Sequence, residues 1–368
     1  IGGVGHVWGA IVGAALIKLL DDYLQVALPA LIGTSGSYEV IVFGVAMVLV
    51  LKYLPDGLWS VVARKLPKAP RHVDWQNAAE LPARSKPAMG DVVLKVDKIR
   101  KQFGGLVAVN DISFDIHAGQ IVGLIGPNGA GKSTCFACLA GQQVPTAGEV
   151  LWQGQSLMGK PPAERQRLGV ARTFQVAQTF EALTVLQNIQ LVLRGAAPLA
   201  WWDRLDRRQP ERALRLAAQA GLQAQAHATV ADLPYGAKKR LELAMALAGL
   251  PDAVPGSGAD QGAHSAQSLL LLDEPAAGLA LAERADMMAL VRQVASQGVT
   301  VLYTEHNMDA VFGVADRVLV LMQGRLVADG LPDVVAQDPQ VRERYLGMDF
   351  DLNANVNTDP KGLHDAQG

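Results

Sequence analysis

Cysteine is nearly absent: 368 residues carry two, Cys135 and Cys138. That excludes a disulfide scaffold and fits a reduced compartment. Their Cys-x-x-Cys spacing has no second Cys/His pair at metal spacing, so both thiols are read as packing on one helix rather than as a zinc site. No charge of one sign dominates either, since 33 Lys and Arg face 35 Asp and Glu for a formal net charge of −2. A nucleic-acid partner, which needs a basic field, is not expected. Aromatics make up only 5 % of the chain, and no secretory signal pattern is visible. What the sequence has in excess is apolar: 50 % of residues are hydrophobic and the mean hydropathy is +0.17, high enough to expect a membrane-facing part.

The excess sits at the front. Residues 1–20 are apolar and glycine-rich apart from His6 and Lys18, and Val40 to Leu51 is an unbroken apolar run flanked by Tyr38 and Tyr53. Both read as membrane helices, with the tyrosines as interfacial anchors and glycines suited to close helix packing in lipid. Lys52, Arg64, Lys65, Lys68 and Arg71 follow, a cationic cluster that places this end in the cytoplasm. The chain starts at Ile1 with the apolar stretch already under way, so it is expected to be the C-terminal part of something longer. Residues 1–66 are therefore assigned to transmembrane helices. Residues 67–90, interrupted by Pro67, Pro70, Pro82 and Pro87, are assigned to a linker.

From Val92 the pattern becomes strand-like, with Val92 to Val96 and Ile112 to Ile116 as short strands. Gln120 to Ile125 then forms an apolar run leading into Gly126-Pro-Asn-Gly-Ala-Gly-Lys-Ser-Thr134, a complete G-x-x-x-x-G-K-[ST] phosphate loop. Gly126, Pro127, Asn128, Gly129, Ala130 and Gly131 let successive N–H groups curl around phosphate oxygens. Lys132 supplies a mobile charge, Ser133 can ligate Mg²⁺, and Thr134 continues into a helix whose positive end faces the phosphates. A nucleoside triphosphate site follows. Helical character between about residues 180 and 230, as in Glu211 to Ala218, predicts a helical subdomain inserted in an α/β core. Strands resume at Leu269 to Leu272, Val299 to Tyr303 and Val318 to Met322, and residues 348–368 read as a disordered tail.

Four further motifs follow the phosphate loop in order: Arg172-Thr-Phe-Gln175, Leu233-Pro-Tyr-Gly-Ala237, Leu269-Leu-Leu-Leu-Asp-Glu-Pro275 and Thr304-Glu-His306. The set resembles the ATP-binding cassette family over residues 91–347. A P-loop α/β cassette with an inserted helical subdomain, preceded by a short all-α transmembrane segment, is the fold it implies. Four apolar leucines before Asp273 make a buried strand that delivers two carboxylates to a sheet edge, Asp273 for the Mg²⁺ shell and Glu274 to polarise water. By the resemblance His306 senses the γ-phosphate, Gln175 watches Mg²⁺ and the attacking water, and Phe103 stacks on adenine. Tyr235 and Gly236 belong to the signature that grips nucleotide across a dimer. Two departures stand out: Pro234 replaces a serine and loses an N–H, and Ala280 lacks the polar side chain expected there. A stretch of 251–268, rich in Gly, Ser and Ala and including His264, exceeds the family spacing and reads as an inserted surface loop.

Phe103 to Asp111, Glu305-His-Asn-Met308, Asp338-Pro-Gln-Val341 and Tyr345-Leu-Gly347 resemble the ATP-binding subunit of bacterial branched-chain amino acid importers. Gly2 to Gly9 and Leu54-Pro-Asp-Gly-Leu58 resemble the end of the matching permease, so a permease–ATPase fusion is expected. The resemblance implies ATP and Mg²⁺ as cofactors, and a second cassette ATPase, permease subunits and a periplasmic binding protein as partners. It implies the bacterial inner membrane as location, with the ATPase on the cytoplasmic face. Importers of urea, amides or aromatic acids and a catalytically weak cassette are the alternatives. A soluble cassette acting in repair or translation is disfavoured by the apolar front.

Overall fold

The structure, a computed structural model, describes residues 13–15, 17–19, 22–23, 44–45, 48–49, 52–53, 90–174, 177–193, 209–251 and 267–346. Two compact units divide the chain, Ile1–His72 and Val73–Gly368. In the first, every described residue is helical, and Lys18 Nζ lies 2.8 Å from Asp22 Oδ1, one turn on. No helix among the described residues is long and apolar enough to cross a membrane. Most of the two apolar stretches and the linker up to residue 89 lie outside the described residues, as do the body of the inserted loop, 252–266, and the tail from 347.

The second unit begins with a hairpin of β1 (Val92–Phe103) and β2 (Leu106–His117), whose ladder runs well beyond the two short strands expected from the sequence. Alternation alone understated their length because register shifts interrupt the period, between Val96 and Ile99 for example. With β4 (Ala147–Trp152) and β5 (Gln155–Ser156) they form a four-stranded antiparallel sheet in the order β2-β1-β4-β5.

The larger sheet, in the order β10-β9-β3-β8-β7-β6, holds the site. It comprises β3 (Ile121–Ile125), β6 (Val170–Arg172), β7 (Ser268–Asp273), β8 (Val299–Thr304), β9 (Arg317–Met322) and β10 (Arg325–Gly330). All neighbouring strands are parallel except β10 against β9. Every residue of β3, β7 and β8 is buried, as parallel strands covered on both faces require. The leucines of β7 show how. Leu270 and Leu272 join a core shared with the helices, whereas Leu269 and Leu271 join the core between the two sheets. Each such burial contributes about 1.5–3 kcal/mol. The strand starts at Ser268, which the sequence placed in the inserted loop, because Ser268 pairs with Val299 and is itself buried.

Between β6 and β7 lie the helices of the expected subdomain. Helix α3 (Val185–Val192) opens with a capping box in which Thr184 and Gln187 exchange side-chain and backbone bonds. Helices α4 (Pro210–Gln219) and α5 (Tyr235–Ala248) pack against it, and Leu214 and Leu241 are buried in the shared core. The other α-helices of this unit, among the described residues, are α1 (Lys132–Leu139), α2 (Pro162–Arg167), α6 (Leu281–Ser296), α7 (Met308–Phe312), α8 (Pro332–Gln337) and α9 (Pro339–Val341). Cys135 and Cys138 are buried on α1, as expected, and burial pushes the Cys135 thiol up to about 12. Parallel pairing of β3, β6, β7 and β8 brings their carboxyl ends to one edge of the sheet, where loops gather at the mouth of an α/β fold.

Candidate nucleotide site

The loop after β3 takes its shape from glycine. Gly126, Gly129 and Gly131 have φ of +147°, +78° and +100°, a region that side chains rarely adopt. A Cβ on Gly126 would sit 2.0 Å from the Leu321 carbonyl oxygen and one on Gly131 2.3 Å from that of Ala108, so those two are locked against backbone. Gly129 is different. Nothing lies within 4 Å of where its Cβ would be, which leaves an open face on the loop. Gly324 N–H donates to the Ala130 carbonyl at 2.9 Å and holds the loop from the β9–β10 turn. No side chain caps α1, so the first-turn amides, which have no acceptor within the helix, are available at the loop. Asn128, Gly129 and Ser133 are exposed and Pro127 and Thr134 half-buried around them. Open glycine, uncapped helix and lysine together fit a polyphosphate. Lys132 is buried and donates Nζ to the carbonyls of Gly126 at 2.6 Å and Pro127 at 3.1 Å. Burial pulls its ammonium below the usual lysine range, while the charges of Glu274 and Asp273 work to hold it up.

Those two carboxylates stand at the end of β7. Asp273 is buried, with Oδ2 2.7 Å from Arg172 Nη2 and Oδ1 accepting the Thr304 hydroxyl at 2.9 Å. Glu274 has φ +49°, a strained setting for a residue with a side chain. Its N–H donates to the carbonyl and hydroxyl oxygens of Thr304, both at 3.1 Å, which fixes the bend. Its carboxylate Oε1 lies 2.7 Å from His306 Nε2. Lys132, Asp273, Glu274 and His306 therefore share one electrostatic cluster. Asp273 and the exposed Ser133 hydroxyl are hard oxygen donors, suited to Mg²⁺ alongside phosphate and water. Among the described residues no group of three or more His, Cys, Asp or Glu could hold a metal by itself.

Three expected residues stand apart from that cluster. Phe103 is exposed at the hairpin end, with Lys101 Nζ 4.9 Å from its ring centre. Tyr235 and Gly236 begin α5 and pack within the same chain: a Cβ on Gly278 would lie 3.2 Å from the Tyr235 ring, and one on Gly236 2.6 Å from Glu283 Oε1. Gln175 lies outside the described residues. Sequence reasoning overlooked Arg172, Thr304 and Glu305, although each stands inside a recognised motif. Glu305 is buried, accepts from Ala276 N–H at 2.6 Å and His306 N–H at 3.3 Å, and burial raises its carboxyl. It ties the loop after β7 to the loop after β8, and its place beside His306 was the one signal available.

Residues 109–254 match the family model described as ABC transporter. The chain is 34 % identical over 269 residues to the high-affinity branched-chain amino acid transport ATP-binding protein LivG of Escherichia coli strain K12, covering 70 % of this chain and 99 % of that protein. BraF of Pseudomonas aeruginosa, a protein of the same description, matches at 34 % with the same coverage. Among solved structures, the ADP conformation of MJ1267, an ATP-binding cassette of an ABC transporter, superposes with a TM-score of 0.60 at 28 % identity, covering 70 % of this chain and 99 % of that one. With the phosphate loop, the ordered motifs and these likenesses in agreement, the chain belongs to the ABC transporter family, as an ATP-binding subunit and an ATPase.

Proposed function

We propose that this ATPase drives an importer of branched-chain or related hydrophobic amino acids, working with a second cassette ATPase, permease subunits and a periplasmic binding protein. The observation that carries the chemistry is the meeting of Lys132 with Asp273, Glu274 and His306 at one sheet edge. The names of LivG and BraF support the substrate class. In this reading the loop from Gly126 to Thr134 cradles the phosphates of ATP, whose anhydride supplies the leaving group, and Ser133, Asp273 and Gln175 hold Mg²⁺. Glu274 takes the proton of the attacking water. His306, hydrogen-bonded to it, orients that carboxylate and faces the terminal phosphate, and Phe103 supports the adenine. Tyr235 and Gly236 act on the nucleotide of the partner subunit. The apolar segments of residues 1–66 anchor the chain as the end of a permease in the bacterial inner membrane, with the ATPase on the cytoplasmic face.

The test is uptake into membrane vesicles that contain the chain with its permease and partner ATPase. Labelled leucine should accumulate when MgATP and a binding protein are supplied, and Lys132→Met should abolish both uptake and hydrolysis. ATP consumption with no uptake of any branched-chain amino acid would reject the substrate. Hydrolysis untouched by Lys132→Met would reject the site.

A further inference from the structure

Lys239 and Glu242 take no part in the chemistry above, yet they are 3 % and 6 % exposed, one turn apart on α5. Charges are buried that deeply only when they are tied. Their own ion pair is long, with Lys239 Nζ 3.9 Å from Glu242 Oε2. The short contacts run to another segment. Phe174 N–H donates to Glu242 Oε1 at 2.6 Å, the Gln178 amide donates to the same carboxylate, and Lys239 Nζ donates to the Phe174 carbonyl at 3.1 Å. Both backbone polar groups of Phe174 are thus held by α5, the helix that starts at Tyr235 and Gly236. Phe174 and Gln178 lie on either side of Gln175 in the sequence.

We infer that Lys239 and Glu242 are positioning residues, which join the start of α5 to the residues flanking Gln175 so that a shift of the helix reaches that segment. The inference rests on the proposed roles of Gln175 and of the α5 start in the ATP site. It gives them a physical link within one chain. Burial pushes the Glu242 carboxyl up to about 7, against the amides of Phe174 and Gln178 and the charge of Lys239; Asp273 on β7 adds to the rise. Tyr235, on the same helix, is also coupled to it. Burial raises the carboxyl above its unfolded value, so ionisation lowers the stability of the whole fold as pH rises through about 7. The Phe174 and Gln178 amides lower it, so release of their segment with α5 still packed runs the other way, costing most above that pH, where the carboxylate accepts charge-assisted bonds, and least below it.

Glu242→Gln in the full chain tests this, because the amide keeps the shape and never ionises. Amide hydrogen exchange over residues 173–180, without nucleotide, should be about tenfold faster in the variant at about pH 8.5 and should match the wild type within about twofold near pH 6. Exchange in β7 and α5 should not change. The ratio of wild-type to variant kcat should follow the same course, about tenfold at high pH and near one at low pH, with KM for ATP within about twofold. Groups common to both chains and not coupled to Glu242 cancel in that ratio. Lys239→Arg should behave as the wild type, and Lys239→Met as Glu242→Gln. Unchanged exchange at high pH, a ratio independent of pH, or faster exchange spread evenly through β7 and α5 would overturn the inference. A wild type that does not hydrolyse ATP would defeat the proposed function instead, and the exchange arm would still decide the link.

Discussion

Arg165 shows what a single buried residue can do for the site without touching it. It is 3 % exposed, and its guanidinium donates to the carbonyls of Cys138, Leu139 and Leu157, each at 2.7 Å, and to that of Lys160 at 3.0 Å. Two of those carbonyls belong to the last turn of α1, the negative end of the helix that carries Lys132. Gly141, at φ +78°, leaves room for it, since a Cβ there would lie 2.6 Å from Arg165 Nε. Arg165→Met would strand buried carbonyls and is expected to cost about 3–5 kcal/mol. Thermal unfolding of the chain should then fall by about 10 °C, with Arg165→Lys intermediate; a shift within about 2 °C would show that water serves those carbonyls equally well. None of this was legible in the sequence. Nothing in Pro161-Pro-Ala-Glu-Arg-Gln-Arg167 itself marks Arg165 for burial, because what buries it is the end of a helix some 25 residues away.

At the scale of elements, the sequence was most informative where local chemistry and tertiary placement agree. The β7 leucines had to be buried, so the carboxylates after them had to meet an edge, and they do. The phosphate loop carried its own geometry in its glycines. On α5 local chemistry carries no such signal. Lys-Lys-Arg-Leu-Glu has the spacing of an exposed helix face, and only the packing of Phe174 against it shows that Lys239 and Glu242 point inward while Lys238 reaches out to Glu181 at 2.9 Å. The inserted stretch between α5 and β7 makes the opposite case. Residues 252–266 are mostly Gly, Ala, Ser, Asp and Gln, with no apolar period to pack. Lengthening a closed loop costs little, about 0.6 kcal/mol per doubling. Replacing 252–266 with a short glycine linker between Pro251 and Gln267 should therefore leave nucleotide affinity within about threefold and thermal unfolding within about 3 °C. Nucleotide titration and calorimetry measure both. A chain that no longer folds would show that the insertion packs on the cassette.

Across the assembled transporter, each ATP is expected to lie between the phosphate loop of one cassette and the signature of the other, so the two sites need not be equal. This chain brings an intact phosphate loop, Asp273, Glu274 and His306 to its own site, but contributes Pro234-Tyr-Gly-Ala237 to its partner's. Pro234 is the N-cap of α5 and makes no side-chain cap bond. It supplies neither the hydroxyl nor the N–H that serine would give. Losing such a donor costs about 3 kcal/mol in a transition state, on the order of a hundredfold in rate. The site built on this chain's phosphate loop should thus carry most of the turnover. Glu274→Gln in this chain should nearly abolish ATP hydrolysis by the reconstituted complex, whereas the equivalent change in the partner should leave most of it. Pro234→Ser offers a check on the cause. The new N-cap bond contributes about 1 kcal/mol and the lost ring rigidity removes about 0.4–1 kcal/mol, so unfolding temperature should hardly move while the partner's site speeds up. With Pro234→Ser in place, Glu274→Gln should leave measurable hydrolysis. Steady-state rates for the four combinations separate the outcomes: equal losses from the two glutamate changes, or no gain from the serine, would mean that Tyr235 and Gly236 already do all that the signature requires.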